Sequence, residues 1–189
     1  FGTEVHLTEM MDRILPVEDS DVSKEVTKCF KKSGIIISTK TKVSKIESLK
    51  TKVKVHIEKN GKEEILEGDV ALLAVGVTGN IENIGLEELG IITDRGAITI
   101  NEFNQTNIPN IYAIGDVSGP PWLAHVASAQ GHVAADHTAG HSPKPVDYTN
   151  IPGCTYCQPQ VGSLGMTEAQ AKESGHDVKI GKFLFQASG

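Results

Sequence analysis

The chain has 189 residues, and 18 lysines and arginines against 24 aspartates and glutamates give it a formal net charge of −6. That length can bury one large core or two small ones. The acidic balance argues against a nucleic-acid partner, because a phosphate backbone would be repelled. The apolar runs fall well short of the roughly 18 residues that span a bilayer, so no membrane association is expected.

The cysteine count and the first residues suggest where the protein works. Three cysteines complete no disulfide framework and fit a reducing compartment, so a cytoplasmic location is expected. The stretch FGTEVHLTEMM lacks the layout of a signal peptide, and its alternation predicts a strand inside a longer protein. Cys154 and Cys157 form a single C-x-x-C without the further ligands that zinc needs, which disfavours a metal or redox role.

The first half of the chain predicts an α/β fold. After the strand in GTEVHLTE, a helix over residues 19–34 places apolar side chains on one face, namely Val22, Val26, Cys29 and Phe30. Asp19, Ser20 and Asp21 offer N-caps and Gly34 closes the helix, and Cys29 on its apolar face is expected in the core. A short buried strand over residues 35–37 completes a parallel strand–helix–strand unit.

A β-meander and a buried strand are predicted next. Residues 53–59, VKVHIEK, alternate apolar with polar side chains as a half-exposed strand does, and Asn60-Gly61 is a two-residue hairpin signal. The lysines of this region predict a solvated sheet face rather than a binding patch. The apolar run VALLAVGV, residues 70–77, has the length of a strand that is covered on both faces.

The second half predicts shorter elements around one long helix. A short helix is expected over residues 81–90, with strands in AITIN and IPNIYAIGD. Pro120 and Pro121 stand where the long helix WLAHVASAQGHVAADHTAG would begin. A proline-containing linker predicts a domain boundary near residue 146, and the tail predicts a strand, a helix that Thr167 caps, and a last strand.

Glu9 closes the first strand, where a nucleotide-binding unit places an acidic residue. Such a carboxylate accepts two hydrogen bonds from the adenosine ribose hydroxyls and repels a 2′-phosphate, so it would select NAD over NADP. The alternative is an ordinary carboxylate at a strand end. Both interpretations stay open, because the chain contains no G-x-G, the phosphate-binding loop that should precede the acid.

The stretch TNIPNIYAIGDVSGPPWLAHV places Asp116 between an apolar strand and a helix start. A carboxylate beside the N–H groups of a helix start lies near the positive end of the helix dipole, an arrangement that suits an anionic or electron-rich ligand. An equally weighted alternative is that Asp116 only caps the turn that follows it. His125 is the one histidine with a local case for function.

Two stretches resemble a known family. TNIPNIYAIGDVSG is similar to the second flavin-binding signature of the FAD-dependent pyridine-nucleotide disulfide oxidoreductases. WLAHVASAQGHVAAD with IPGCTYCQPQVGSLGMTEAQAK is similar to the dihydrolipoamide dehydrogenase branch of that family. The resemblance implies an α/β fold in three parts: part of a Rossmann-like NAD-binding domain with a β-meander (1–78), a central flavin-contacting segment (79–145), and the start of an α+β dimer-interface domain (146–189).

The resemblance also implies FAD and NAD as cofactors. Glu9 matches the acid that binds the NAD ribose, Val43 the position at the adenine, and Gly76 the glycine that NAD approaches. Asp116 matches the residue that holds a ribityl hydroxyl of the flavin. The helix start at the flavin pyrimidine edge is matched by Trp122, Leu123, Ala124 and His125. Reduced flavin is negative near N1 and O2, and a helix N-terminus stabilises such charge by roughly 0.3–2 kcal/mol.

Enzymes of this branch oxidise dihydrolipoamide on lipoyl domains of 2-oxo acid dehydrogenase complexes, pass the electrons through a disulfide and FAD to NAD, and are homodimers. The resemblance implies that this chain is an internal segment without the disulfide, the glycine loop or the His-Glu base. It is therefore expected to be inactive alone and to hold no catalytic residue. The chain departs from the family in two places: VTGN follows Gly76, where the family usually has an arginine and a proline, and Val126 replaces a common lysine.

Two alternatives remain open. One is another FAD and NAD(P)H disulfide reductase, similar to glutathione or mercuric reductase. The other is a non-catalytic module that binds a nucleotide or a partner, and binding of NADH by this chain without a glycine loop would favour that module.

Overall fold

The computed structural model describes residues 2–185. They form two compact units, one made of the residues up to 73 with those from 152 onward, and the other of residues 74–151. The helices and strands follow in chain order as β1 (His6–Thr8), α1 (Ser20–Lys32), β2 (Ile36–Ser38), β3 (Thr41–Ser48), β4 (Val53–Lys59), β5 (Lys62–Gly68), α2 (Leu86–Leu89), β6 (Thr93–Asp94), β7 (Ala97–Ile98), α3 (Ala124–Thr138), β8 (Gly153–Thr155), β9 (Val161–Ser163) and α4 (Glu168–Glu173).

The predicted parallel strand–helix–strand unit is present in the first compact unit. Strand β1 pairs parallel with β2, and His6 lies opposite Ile36 while Thr8 lies opposite Ser38. Helix α1 connects the two strands and begins after Asp19, as the sequence predicts. Strand β2 is less buried than expected, because 47% of Ile36 is exposed.

A small apolar cluster joins α1 to its surroundings. Its buried members are Ile14, Val26 and Val161. Cys29 is half-buried and lies outside this cluster, and its Sγ donates to Glu25 Oε1 at 3.8 Å. The expectation that Cys29 is a core residue is therefore wrong, because Val26 and its neighbours, rather than Cys29, form the face of α1 that packs inward.

The predicted β-meander is confirmed. Strands β3, β4 and β5 form one antiparallel sheet in that order. Asn60 and Gly61 connect β4 to β5 with φ values of 52° and 73°, the left-handed conformations that a tight hairpin turn requires. Ile57 is buried on this sheet, whereas Lys52 is exposed and forms an ion pair with Glu67, as a solvated face would.

The tail packs on the first unit through a hairpin and a short helix. Strands β8 and β9 are antiparallel. Thr167 caps α4 as predicted: its hydroxyl accepts from the Gln170 N–H, and Gln170 Oε1 accepts from the Thr167 N–H at 2.9 Å. Asp19 Oδ1 accepts from the Glu168 N–H at 2.8 Å, which holds α4 to the start of α1. The expected last strand is absent from residues 178–185.

Three other predicted strands are absent or reduced. Residues 70–77 form no strand, and their apolar side chains are mostly exposed, Leu72 by 90%. The stretch IPNIYAIGD forms a single bridge between Tyr112 and Gln105, and AITIN is reduced to the two residues of β7. Residues 70–77 form no strand because a strand needs a neighbouring strand that pairs with its backbone N–H and C=O groups. Residues 2–185 offer no such neighbour beside them.

The second unit contains α2, β6, β7 and α3. Helix α2 is shorter than the expected 81–90, since Gly85 and Gly90 bound it in left-handed conformations. Leu86 packs with half-buried and buried apolar residues of β7 and of the run before Gly115. Helix α3 begins at Ala124 rather than at the two prolines.

Candidate functional site

Asp116 lies in a short 3₁₀ turn, Gly115–Ser118, at the end of the run IYAI. Gly115 has φ of 75°, a conformation that a residue with a Cβ adopts only at a cost, so the glycine before the aspartate is required by the turn. The Ser118 hydroxyl donates to Gly115 O at 2.7 Å, and the Gly119 N–H donates to Asp116 O at 3.2 Å. These bonds leave the Asp116 side chain exposed at the surface of the turn.

The turn packs against the first half of α3. A Cβ added at Gly115 would lie 3.4 Å from Ala127 Cβ, so the two backbones approach closely. The Gly115 N–H donates to the side-chain oxygen of Gln130 at 2.7 Å. The structure therefore brings Asp116 and the start of α3 into one region, as the sequence predicts.

The four residues predicted at the helix start lie on both sides of it. Trp122 and Leu123 precede the helix in extended chain, and Ala124 and His125 are its first two residues. The N–H groups of the next two residues donate to Leu123 O at 3.0 and 3.1 Å. Trp122, Ala124 and His125 are exposed, and Leu123 is half-buried.

The geometry does not favour the alternative in which Asp116 is only a cap. Leu123 stands at the N-cap of α3, and no side chain caps that helix or the 3₁₀ turn. Within residues 2–185, no group is hydrogen-bonded to the Asp116 carboxylate. An exposed carboxylate without an internal partner can accept a hydrogen bond from a ligand hydroxyl.

Gly79 is a close-contact position behind the turn that the sequence alone did not reveal. A Cβ placed there would lie 2.9 Å from Gly96 O and 3.1 Å from Val117 Cα. Gly79 also lines an open groove of about 380 Å³ together with Arg95 and residues of α2. The backbone of the Asp116 turn can therefore occupy its place only if residue 79 has no side chain.

A second candidate region lies in the other unit, at the carboxyl ends of β1 and β2. The Glu9 N–H donates to Ser38 O at 2.8 Å, and Glu9 Oε1 accepts from the Met11 N–H at 2.7 Å. The buried Thr41 donates its N–H to Glu9 O at 3.0 Å, which joins the acid to the start of β3. Val43 follows on β3 and is exposed, so Glu9 and Val43 belong to one connected region.

Gly76 belongs to the second unit and lies in an extended, exposed run. Its φ is 129°, and a Cβ built on it would meet no atom within 4 Å. The backbone conformation at residue 76 therefore favours glycine, and open space lies beside it.

The remaining chemistry-bearing side chains form no further site in the described part of the chain. Cys154 is exposed, and Cys157 is half-buried with its Sγ 3.0 Å from Pro159 O. Among residues 2–185, no three His, Cys, Asp or Glu side chains gather as metal ligands would. None of the helices described combines the length and apolar character that a bilayer crossing demands.

The described residues thus form a mixed α/β chain with the fold of the FAD-dependent disulfide oxidoreductases. Residues 1–131 match the family model described as pyridine nucleotide-disulphide oxidoreductase. Residues 151–189 match the model of the dimerisation domain of the same family. The chain belongs to the pyridine nucleotide-disulphide oxidoreductase family.

Curated relatives carry one shared name. The chain is 46% identical over 190 residues to the dihydrolipoyl dehydrogenase of Rhizobium etli, and 46% identical over 191 residues to that of Bacillus subtilis. It is 45% identical to the dihydrolipoyl dehydrogenase of Mycobacterium tuberculosis. Each match covers 100% of this chain, but only 40% or 41% of the relative. The chain therefore spans about two fifths of the length of these relatives.

Solved structures agree with this fold. LpdA from Mycobacterium tuberculosis matches with a TM-score of 0.83 and 26% identity, over 93% of this chain and 38% of LpdA. The HOCl-induced flavoprotein disulfide reductase RclA from Escherichia coli matches with a TM-score of 0.83 and 28% identity, over 94% of this chain and 40% of RclA.

Gly79→Ala should disturb the Asp116 turn. Because the added Cβ meets backbone atoms of residues 96 and 117, we expect a loss of about 1–3 kcal/mol in the free energy of unfolding and shifted amide NMR signals across the turn. Gly162→Ala is the matched control, since a Cβ there meets nothing within 4 Å. Signals of the turn that are unchanged in Gly79→Ala would contradict the close contact.

Proposed function

We propose that this chain is part of a dihydrolipoyl dehydrogenase, an enzyme that oxidises dihydrolipoamide and reduces NAD. The observation that carries the proposal is the exposed Asp116 carboxylate on a turn packed against the start of α3. The identity of 46% to enzymes of that name across the whole chain supports it.

The residues of the second unit fit a flavin. Asp116 would accept a hydrogen bond from a ribityl hydroxyl, and the chain from Trp122 to His125 would lie along the pyrimidine edge of the ring system. The helix start provides positive potential where reduced flavin carries negative charge. When bound, FAD supplies the two-electron relay between dihydrolipoamide and NAD.

The residues of the first unit fit the adenosine end of NAD. Glu9 would accept hydrogen bonds from the ribose hydroxyls, because it lies at the carboxyl ends of two parallel strands, where nucleotides bind in such sheets. Exposed Val43 would contact the adenine. Gly76 lies in the second unit, and the open space beside it suits the glycine that NAD approaches in this family. On this proposal, residues 1–78 belong to the NAD domain.

The remaining residues would belong to two further parts of the longer protein. Residues 79–145 form its central flavin-contacting segment, and residues 146–189 begin a dimer-interface domain, in keeping with the dimerisation-domain match. The enzyme is a cytoplasmic homodimer whose substrate is dihydrolipoamide on the lipoyl domains of 2-oxo acid dehydrogenase complexes. The exposed apolar side chains of residues 70–77 fit burial against other parts of such a protein.

An activity assay on two preparations tests this function. The full-length protein should be yellow and reduce NAD with dihydrolipoamide, whereas the 189-residue chain alone should be colourless and inactive. Faster turnover of glutathione disulfide or mercuric ion would favour another disulfide reductase, a possibility that the likeness to RclA motivates. Tight NADH binding by a full-length protein without turnover would instead favour a non-catalytic module.

Glu9→Gln tests the nucleotide role in the full-length enzyme. The amide keeps an acceptor for the Met11 N–H but loses the charge that excludes a 2′-phosphate, so we expect NAD affinity to fall by about tenfold and the preference over NADP to narrow. Glu63→Gln, an exposed change on β5, is the control. Steady-state KM values for both nucleotides measure the effect, and an unchanged NAD to NADP ratio would contradict the assignment.

A further inference from the structure

Gln130 is a buried polar side chain in the middle of helix α3, and only 3% of it is exposed. A buried amide is destabilising unless its oxygen and nitrogen both find hydrogen-bond partners. Its partners therefore reveal what the residue does for the fold.

The amide of Gln130 bonds both ends of the Asp116 turn. Its Oε1 accepts from the Gly115 N–H at 2.7 Å, and its Nε2 donates to Ser118 Oγ at 3.3 Å. Because a backbone N–H can only donate, the amide oxygen must face Gly115, which settles the orientation of the side chain. One side chain thus spans the turn on either side of Asp116.

The same amide reaches a third partner further along the chain. Gln130 Nε2 donates to the Tyr148 hydroxyl at 2.8 Å. Tyr148 begins the 3₁₀ turn Tyr148–Asn150, which directly precedes the residues that match the dimerisation domain. The Asp116 turn and the approach to that domain therefore share one hydrogen-bonding side chain.

The backbone of Gln130 is also engaged. Asn104, 2% exposed, donates its Nδ2–H to Gln130 O at 3.1 Å. The backbone oxygen of Asn104 accepts from the Ala113 N–H at 3.0 Å, just before the run enters Gly115. Position 130 is thereby tied to the chain before the turn as well as to the turn itself.

We propose that Gln130 is the positioning residue for Asp116 and that, through Tyr148, it joins the flavin-contacting turn to the segment that enters the dimerisation domain. It holds the Gly115 amide and the Ser118 hydroxyl, and so sets the direction in which the intervening carboxylate faces. Gln130 itself touches no cofactor. The expected effect of Gln130 on flavin binding rests on the proposed function, whereas its expected effect on the Asp116 turn does not.

Hydrogen exchange of the Gly115 amide in the full-length protein tests the positioning directly. Gln130→Leu removes both bonds to the turn, so exchange at Gly115 should become about tenfold faster or more. Gln130→Glu keeps an acceptor for the Gly115 N–H and offers one to the Tyr148 hydroxyl, and should restore slow exchange. Ser128→Ala, an exposed position on the same helix, should leave the rate unchanged. Wild-type exchange in Gln130→Leu would overturn the proposal.

Tyr148→Phe distinguishes the positioning of the Asp116 turn by Gln130 from the link that Gln130 makes through Tyr148. It removes only the hydroxyl, so Gly115 exchange should rise less than in Gln130→Leu, while amide signals of residues 146–151 shift. No response in either region would overturn the link through Tyr148.

FAD affinity of the full-length enzyme tests the consequence for the site. Gln130→Leu should bind FAD about tenfold more weakly, with an altered flavin absorption spectrum, and Gln130→Glu should recover both. If wild-type protein binds FAD and Gln130→Leu binds it equally well, the positioning role fails while the proposed function stands. If wild-type protein binds no FAD, the proposed function fails, and the flavin consequence fails with it.

Discussion

The candidate flavin site depends on the packing of one turn against one helix. Gly115 takes a left-handed conformation, its backbone lies against Ala127, and its N–H is bonded to a buried amide on α3. Any side chain at Gly115 would oppose the left-handed conformation. The aspartate that follows is therefore directed by backbone geometry that its own side chain does not create.

The two candidate regions use the same physical device in different units. In each, a carboxylate follows an extended run and is placed by hydrogen bonds that hold the backbone around it. Glu9 is held through Ser38 and Thr41, and Asp116 through its own turn. This leaves both carboxylates available to ligands, while buried neighbours such as Thr41 and Gln130 carry the structural role.

Features with local signals were predictable from the sequence. The helix α1, the Asn60-Gly61 hairpin and the Thr167 cap are encoded by periodicity, turn chemistry and capping residues within a few positions. The absence of a strand at residues 70–77 was not predictable in the same way, because a strand forms only beside a partner and the apolar run does not encode one. The predicted start of α3 at the two prolines is wrong for a local reason. A residue before a proline avoids helical backbone angles, so Pro120 cannot begin a helix that continues through Pro121.

The site was predictable in part. Asp116 and the residues around Ala124 were found from one motif, and the structure gathers them in one unit. Gln130 was missed, because a glutamine in a helix is usually exposed. A signal existed, since Gln130 lies three or four positions from Val126, Val133 and Ala134, all on the buried face of α3. Gly79 has no such signal, because its close contacts come from residues 96, 116 and 117.

A crystal structure of the full-length protein with its flavin would show directly whether Asp116 and the start of α3 hold the flavin. We expect an oxygen of the Asp116 carboxylate at hydrogen-bonding distance, about 2.5–3.0 Å, from a ribityl hydroxyl, with the start of α3 against the pyrimidine edge of the ring. A flavin bound elsewhere, or an Asp116 carboxylate that points to solvent away from the ribityl chain, would contradict it.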